Sequence, residues 1–313
     1  MNFEKKNQRL LLSSTWITGI GNVLFTFAIN WWIMNVSENP LILGTVNAII
    51  FIPKILLSLF GGAIADIGNR KKILFICDIC CAILNFLLSL LVVCLGFKID
   101  AIVCINILIT IFQTVYNPTT RAIVPDLFSK SKIITINSKI TIINQIVKII
   151  SPLLGGALVN TKVVGVSGLF CINGFTFLVT AIIDLYLIYT PPAKTKNISV
   201  KEILKTTFLG LKIYSKKENI LMLQLLVLIT LNNFWISGYE LSIPVLGAMY
   251  TKFPFDTYSF FMALIAIGCL IGARTVQGEK EIISLGEVTK SSVYMCIPFF
   301  LLAILKNFIA ICI

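Results

Sequence analysis

Histidine does not occur anywhere in the 313 residues. Its absence removes Ser-His-Asp and Cys-His catalysis and every histidine-ligated metal site. Charge is scarce as well: Asp, Glu, Lys and Arg make up 13% of the chain, where a soluble domain carries about 25%. Acids are the scarcer sign, 14 against 26 Lys and Arg. The apolar stretches hold no cluster of acids and no phosphate-cradling glycine loop. A lipid-modifying or other membrane enzyme would therefore lack its chemistry, and no cofactor or metal is implied. Cysteine is present but wrongly placed for a disulfide framework. The nine cysteines (77, 80, 81, 94, 104, 171, 269, 296 and 312) lie within or beside apolar runs rather than in loops. Cys77-x-x-Cys80-Cys81 falls inside one such run with no second ligand pair, so these residues read as small buried hydrophobes. A cleavable leader is not expected, because the first apolar run is too long and lacks a small-residue cleavage site.

What the chain has in abundance is oil. Hydrophobic residues make up 57% of it and the mean hydropathy is +0.94. About 20 residues cross the hydrocarbon of a bilayer, and nine runs of that kind occur. They lie at roughly 10–34, 42–65, 73–97, 100–122, 136–159, 166–190, 220–247, 256–274 and 292–311. The seventh is long enough to be broken at Pro244. The expected fold class is an all-α polytopic membrane protein.

A net charge of +12 would point to nucleic acid in a soluble protein. Here its distribution points elsewhere. With the N-terminus inside, the outer loops hold only Lys98, Lys162 and Lys252, and Lys54, Lys139, Lys148 and Lys306 fall within spans. The remaining 19 of the 26 cations lie in inner segments. That asymmetry sets the orientation and removes the case for a nucleic-acid partner. The expected site is the plasma membrane of a bacterium. The longest hydrophilic stretch, 191–219, divides the chain into a six-helix bundle at 1–190 and a three-helix part at 220–313. Its centre carries Val200, Ile203, Leu204, Phe208, Leu211 and Tyr214 at helical spacing, and Ser199-x-x-Glu202 forms a capping box. With lysines at 201, 205, 212, 216 and 217, it reads as an amphipathic helix on the anionic inner leaflet or, failing that, a plain charged linker. The chain reads as a monomer.

Residues 61–72, GGAIADIGNRKK, stand between the second and third spans. Gly62, Ile64, Ala65, Asp66, Asn69, Arg70 and Lys71 match the loop pattern of the major facilitator superfamily, G-x-L-A-D-x-x-G-R-K. The departure is Asn69 for glycine, a mild change if the position needs a left-handed turn. With Asp78 following in the third span, the motif looks most like the macrolide-efflux and siderophore-exporter branch. NPTTRAIVPDLFSKSKIITINS (117–138) resembles that branch's loop after span 4. ISPLLGG (150–156), with Pro152, Gly155 and Gly156, resembles the span-5 motif of antiporters. AIGCLIGARTVQGEKE (266–281) repeats the loop weakly in the second half.

The resemblance implies a small-molecule exporter working by alternating access and coupled to protons. Gly62, Asp66, Asn69, Arg70, Lys71 and Asp78 would form its gating motif, with Asp66 latching onto span 11 and Arg70 holding the loop's charge network. The glycines would admit a neighbouring helix. Two departures weaken a standard drug–proton mechanism: span 4 has no arginine and span 1 no carboxylate. Members of the superfamily have twelve spans, so nine imply a C-terminally truncated chain, and the alternative function is a non-transporting fragment or scaffold.

Ionisable residues at membrane depth are functional candidates by default. Lys54 and Lys148 fall near the midplane of spans 2 and 5, where they either attract an anionic substrate or pair with a helix carbonyl or buried acid. Glu240, beside Trp235 and Tyr239, reads as a coupling or substrate carboxylate or as an interfacial acid. Asp184 is expected at the interface. Asn22, Asn30 and Gln113 either line a cavity or bond between helices.

Overall fold

The computed structural model describes residues 2–37, 39–96, 98–159, 161, 163–191 and 220–249, and every regular element among them is an α-helix. In chain order they are α1 (Asn2–Ser37), α2 (Pro40–Ile67), α3 (Arg70–Leu95), α4 (Ile99–Leu127), α5 (Lys130–Val159), α6 (Gly165–Tyr186) and α7 (Ile220–Met249). The first six are each long and apolar enough to cross a membrane. The readings placed on residues 192–219 and 250–313, including the amphipathic linker, the last two spans and the second-half motif, lie outside the described residues.

The turns follow from local chemistry. Asn39 caps α2, its side-chain oxygen accepting from the Leu41 amide at 2.9 Å, and Pro40 occupies the first helical position, where its missing N–H costs nothing. Only Gly68 and Asn69 separate α2 from α3. Asn69 does not adopt the left-handed conformation expected of it. It is extended (φ −73°, ψ 104°) and caps α3 by accepting from the Lys72 amide at 3.1 Å. Asn serves both roles well, and an N-cap requires β-region backbone. Positive φ occurs instead at Gly96, after α3, and at Gly165, at the start of α6, with φ 71° and 57°.

Four helices depart from their apolar runs. α1, α4 and α5 continue past the oily stretch at one common end of the bundle, where α1 meets the α4–α5 turn. The Ser129 amide donates to Glu4 at 3.0 Å, and the Lys132 ammonium pairs with the same carboxylate. α6 stops at Tyr186 instead of continuing to residue 190, and the chain leaves extended from Leu187. Pro191 and Pro192 follow, and a residue before proline is pushed out of the α region. α7 passes through Pro244 unbroken, as proline-containing membrane helices commonly do.

The packing order is symmetric. α3 and α6 lie against each other; α1 packs on α6 as α4 packs on α3; α5 packs on α1 as α2 packs on α4. An internal two-fold therefore exchanges α1 with α4, α2 with α5 and α3 with α6, the inverted three-plus-three repeat of transporter bundles. Close approach is bought by glycine. A Cβ on Gly61 would stand 2.5 Å from the Thr114 carbonyl oxygen, and one on Gly155 would stand 2.7 Å from the Phe27 ring. Gly62, expected to serve the same purpose, faces open space. The main core centres on Phe27, Leu169, Phe170 and Phe177, with the Phe25 and Phe170 rings 5.3 Å apart. A second core at the common end gathers Leu11, Leu74, Ile123, Val124, Leu127, Ile136 and Leu187. α7 touches α1 and α2 and contributes the buried Ile243 to the main core.

Candidate functional site

Two kinds of outer surface divide the bundle. On α3 the exposed residues Ile76, Ile83, Leu87, Leu90 and Val93 are all apolar, as are Phe175, Val179, Ile182 and Leu185 on α6. These stripes suit lipid. On the other side, α5 exposes Asn137, Thr141, Asn144 and Lys148, spaced four, three and four residues apart and so on one helix face. α2 exposes Lys54 and Ser58 among the apolar Ile49, Phe51, Ile52, Ile55 and Leu56, α1 exposes Thr26, and Asn22, Asn30, Asn47 and Gln113 are half-buried beside them. An ammonium near the bilayer midplane does not face hydrocarbon without a cost of several kcal/mol, so this is a polar face set against an apolar one.

Hydrogen bonds order that face. The Gln113 amide of α4 donates to Asn22 Oδ1 of α1 at 3.1 Å, and Asn47 of α2 reaches Asn30 of α1 at 3.5 Å. The alternatives for Asn22, Asn30 and Gln113 therefore hold together: they bond between helices and do so at the polar face. Lys54 lies near the middle of α2 with its ammonium 4.8 Å above the Phe51 ring. Among the described residues neither Lys54 nor Lys148 meets an acid. The side chains of Glu240 and Asp66 lie outside the described set, and only their places on α7 and in the last turn of α2 are stated.

The remaining motif residues build a network at the common end. Arg70, in the first turn of α3, donates from Nε to the Ala65 carbonyl of α2 at 3.0 Å. Its Nη1 donates to the Ala122 carbonyl at 3.0 Å and to Asp126 Oδ2 at 2.7 Å, both on α4. One guanidinium thus joins three helices, with its fork matched to carbonyl and carboxylate. Lys71 reaches the other way, to the Leu185 and Leu187 carbonyls, each at 2.8 Å, which satisfies the orphaned end of α6. Tyr189 stands beside the ion pair; burial pushes its hydroxyl above the ordinary phenol range, the Asp126 carboxylate adds to this and Arg70 opposes it. Asn7 of α1 closes the network, donating to the Ile188 carbonyl at 2.8 Å and accepting from the Ile188 amide at 3.0 Å.

Asp78 is fully buried and meets Asp184 of α6, which is 2% exposed. Asp184 lies in the last turn of α6, and α6 presents it inward to α3 rather than to water. Neither oxygen of Asp78, nor Oδ2 of Asp184, receives a hydrogen bond from the described residues, and Lys71 is the cation that faces Asp184. Above this pair Asn173 of α6 donates to Asn85 of α3 at 3.0 Å across the same interface, while Thr180 of α6 meets Thr18 of α1, their hydroxyls 2.7 Å apart. Pro152 and Gly155 are buried in α5. Cys77 and Cys81 are buried as expected, Cys80 is only half-buried, and Cys94 and Cys104 are exposed on α3 and α4.

Asp126, Asn7 and the Asp78–Asp184 contact were not singled out by sequence. Only Asp126 left a signal there, as the acid of VPDLF at the end of the fourth run. No group of three or more metal-ligating side chains occurs among the described residues.

Known proteins share this architecture. The Staphyloferrin A transporter of Staphylococcus aureus (strain NCTC 8325 / PS 47) is 24% identical over 264 residues, 84% of this chain and 65% of that protein. The chain thus spans somewhat less than two thirds of that relative's length. Two crystal structures of a bacterial homologue of the human lysosomal transporter Spinster share the fold at 14% identity. The inward-facing unoccupied form superposes with a TM-score of 0.63, over 99% of this chain and 70% of that one. The inward-facing occupied form gives 0.64, over 97% and 68%. The profile of the Major Facilitator Superfamily matches residues 11–313, nearly the whole chain, and the chain belongs to that superfamily.

Proposed function

We propose that this multi-pass membrane protein is a secondary transporter that exports small amphiphilic molecules of the siderophore or macrolide class. Family and fold point to transport rather than catalysis, and the observation that carries the reading is the polar face on α1, α2, α4 and α5 opposite the lipid-suited stripes of α3 and α6. In such bundles the substrate site lies near the midplane and the two halves rock about it. Lys54, Lys148 and Glu240 are the substrate or coupling candidates, and the siderophore side of the pair is favoured by the Staphyloferrin A transporter relative.

The Arg70 network, with Gly62, Asp66, Asn69, Lys71 and Asp78, serves as the gate at the common end. That end faces the cytoplasm of a plasma membrane, a placement supported by the concentration of cations there. The driving force is the proton gradient, and the protein acts as a monomer without a cofactor, among anionic inner-leaflet lipids.

Reconstituted vesicles provide the test. An imposed pH gradient is expected to drive a labelled siderophore or macrolide against its concentration gradient, and collapse of that gradient by an ionophore is expected to stop it. Uptake indifferent to the gradient and to Arg70→Ala would sink the proposal.

A further inference from the structure

The second and fifth helices carry the same phrase. KILLSLFGG at 54–62 and KIISPLLGG at 148–156 share Lys, Ile, Leu and two glycines at equal offsets. α2 and α5 are the helices that the bundle's two-fold exchanges, and the repeated glycines mark corresponding contacts: Gly61 against α4, Gly155 against α1. In each phrase the lysine precedes the first glycine by seven residues, two helical turns, and so shares its side of the helix. Lys54 and Lys148 are therefore not two stray charges but one position occurring twice. Both are exposed. Lys54 has about 20 Å of helix on either side and Lys148 about 17 Å to its nearer end, too far for either ammonium to escape to a headgroup.

Between them run α1, which packs on α5 and touches α2, and α4, which packs on α2; α1 carries Asn22, Thr26 and Asn30. The acids with described side chains on α1, α2, α4 and α5, namely Glu4, Asp100 and Asp126, all stand at helix ends. The middle of the polar face thus holds two cations, neutral amides and hydroxyls between them, and no described acid to answer either charge.

We propose that Lys54 and Lys148 are the two halves of one anion clamp, taking a small molecule with two separated anionic groups, carboxylates foremost, one to each ammonium. A single anionic group would leave the second cation unanswered at membrane depth, and a neutral ligand would leave both. The neutral amides of α1 then hold the linking part of the ligand by hydrogen bonds. This rests on the reading of the polar face as the substrate face.

The experiment uses the full chain in lipid nanodiscs, with α,ω-dicarboxylates from glutarate to suberate, hexanoate as the monocarboxylate and adipamide as the neutral probe. Titration calorimetry is expected to show at least one dicarboxylate binding about tenfold or more tighter than hexanoate, the ratio set by one additional paired charge. Lys54→Gln or Lys148→Gln alone is expected to bring that dicarboxylate down to the hexanoate level, and Lys54→Arg or Lys148→Arg to keep the preference. Equal binding of mono- and dicarboxylates by the unaltered chain would overturn the clamp. So would an unchanged preference in both glutamine variants, or its loss in arginine variants with intact helical content. A chain that moves a neutral amphiphile across vesicles without preferring dicarboxylates keeps the export reading and overturns the clamp. One that prefers dicarboxylates but drives nothing across keeps the clamp and overturns export.

Discussion

Two sets of cations occupy this bundle under opposite conditions. At the common end Arg70, Lys71 and Lys132 are answered within the described residues: Arg70 by Ala65, Ala122 and Asp126, Lys71 by the last carbonyls of α6, Lys132 by Glu4. In the middle of α2 and α5, Lys54 and Lys148 meet no described acid. The first set ties helices together and contributes to stability. The second is held in place by its helices while contributing little, which is how a site kept ready for something else behaves.

The largest expected effect is on the answered side. Arg70→Ala removes one guanidinium and leaves Asp126 and two carbonyls without their donor. The pair is only 16% exposed on each side, so the loss is expected at about 2–3 kcal/mol, read as a lowered midpoint in thermal unfolding in detergent, together with loss of transport. A midpoint unchanged within about 0.5 kcal/mol would show that the network is dispensable.

Next come the two repeated glycines, which test whether the internal two-fold is energetically even. At Gly61 an added Cβ meets a backbone carbonyl that cannot move aside; at Gly155 it meets the Phe27 ring, which can turn. Gly61→Ala is expected to cost about 1–3 kcal/mol and Gly155→Ala less. Equal losses would mean that the α4 backbone yields as easily as a side chain.

Asp184→Asn should act in the other direction. It replaces one of two facing carboxyls by an amide that can donate to Asp78 without taking up a proton, and is expected to raise the unfolding midpoint by about 1 kcal/mol. A lower midpoint would show that the acid pair is stabilised by a group beyond the described residues. The smallest effect on stability is expected at the unanswered cations: Lys54→Gln and Lys148→Gln should change it by less than about 0.5 kcal/mol while altering what the protein binds. A loss as large as that of Arg70→Ala would erase the contrast between the two sets.

The six helices could be read from sequence because a hydrocarbon slab imposes one length and one composition on anything that crosses it. Their ends could not. The extra turns of α1, α4 and α5 are held by contacts such as Glu4 with Lys132, which join residues far apart in the chain. The conformation of Asn69 was not legible because one side chain suits two backbone conformations, and the Lys72 amide that it caps decides between them. Arg70 and Lys71 were singled out from the motif, but their partners Asp126, Leu185 and Leu187 lie on helices that the motif does not mention. The burial of Asp184 depends wholly on which side of α6 meets α3. The repeated K-x6-GG phrase was in plain view, yet it had no meaning until α2 and α5 were seen to exchange places.

The two-way bond between Asn7 and Ile188 has a mechanical consequence. Where the chain leaves α6, its backbone is fastened sideways to α1, as a rope is belayed to a post before it runs on. Tension arriving along the segment after Pro191 is therefore delivered first to the opening helix, the one that carries Asn22, Thr26 and Asn30, and only then to the helix from which that segment emerges.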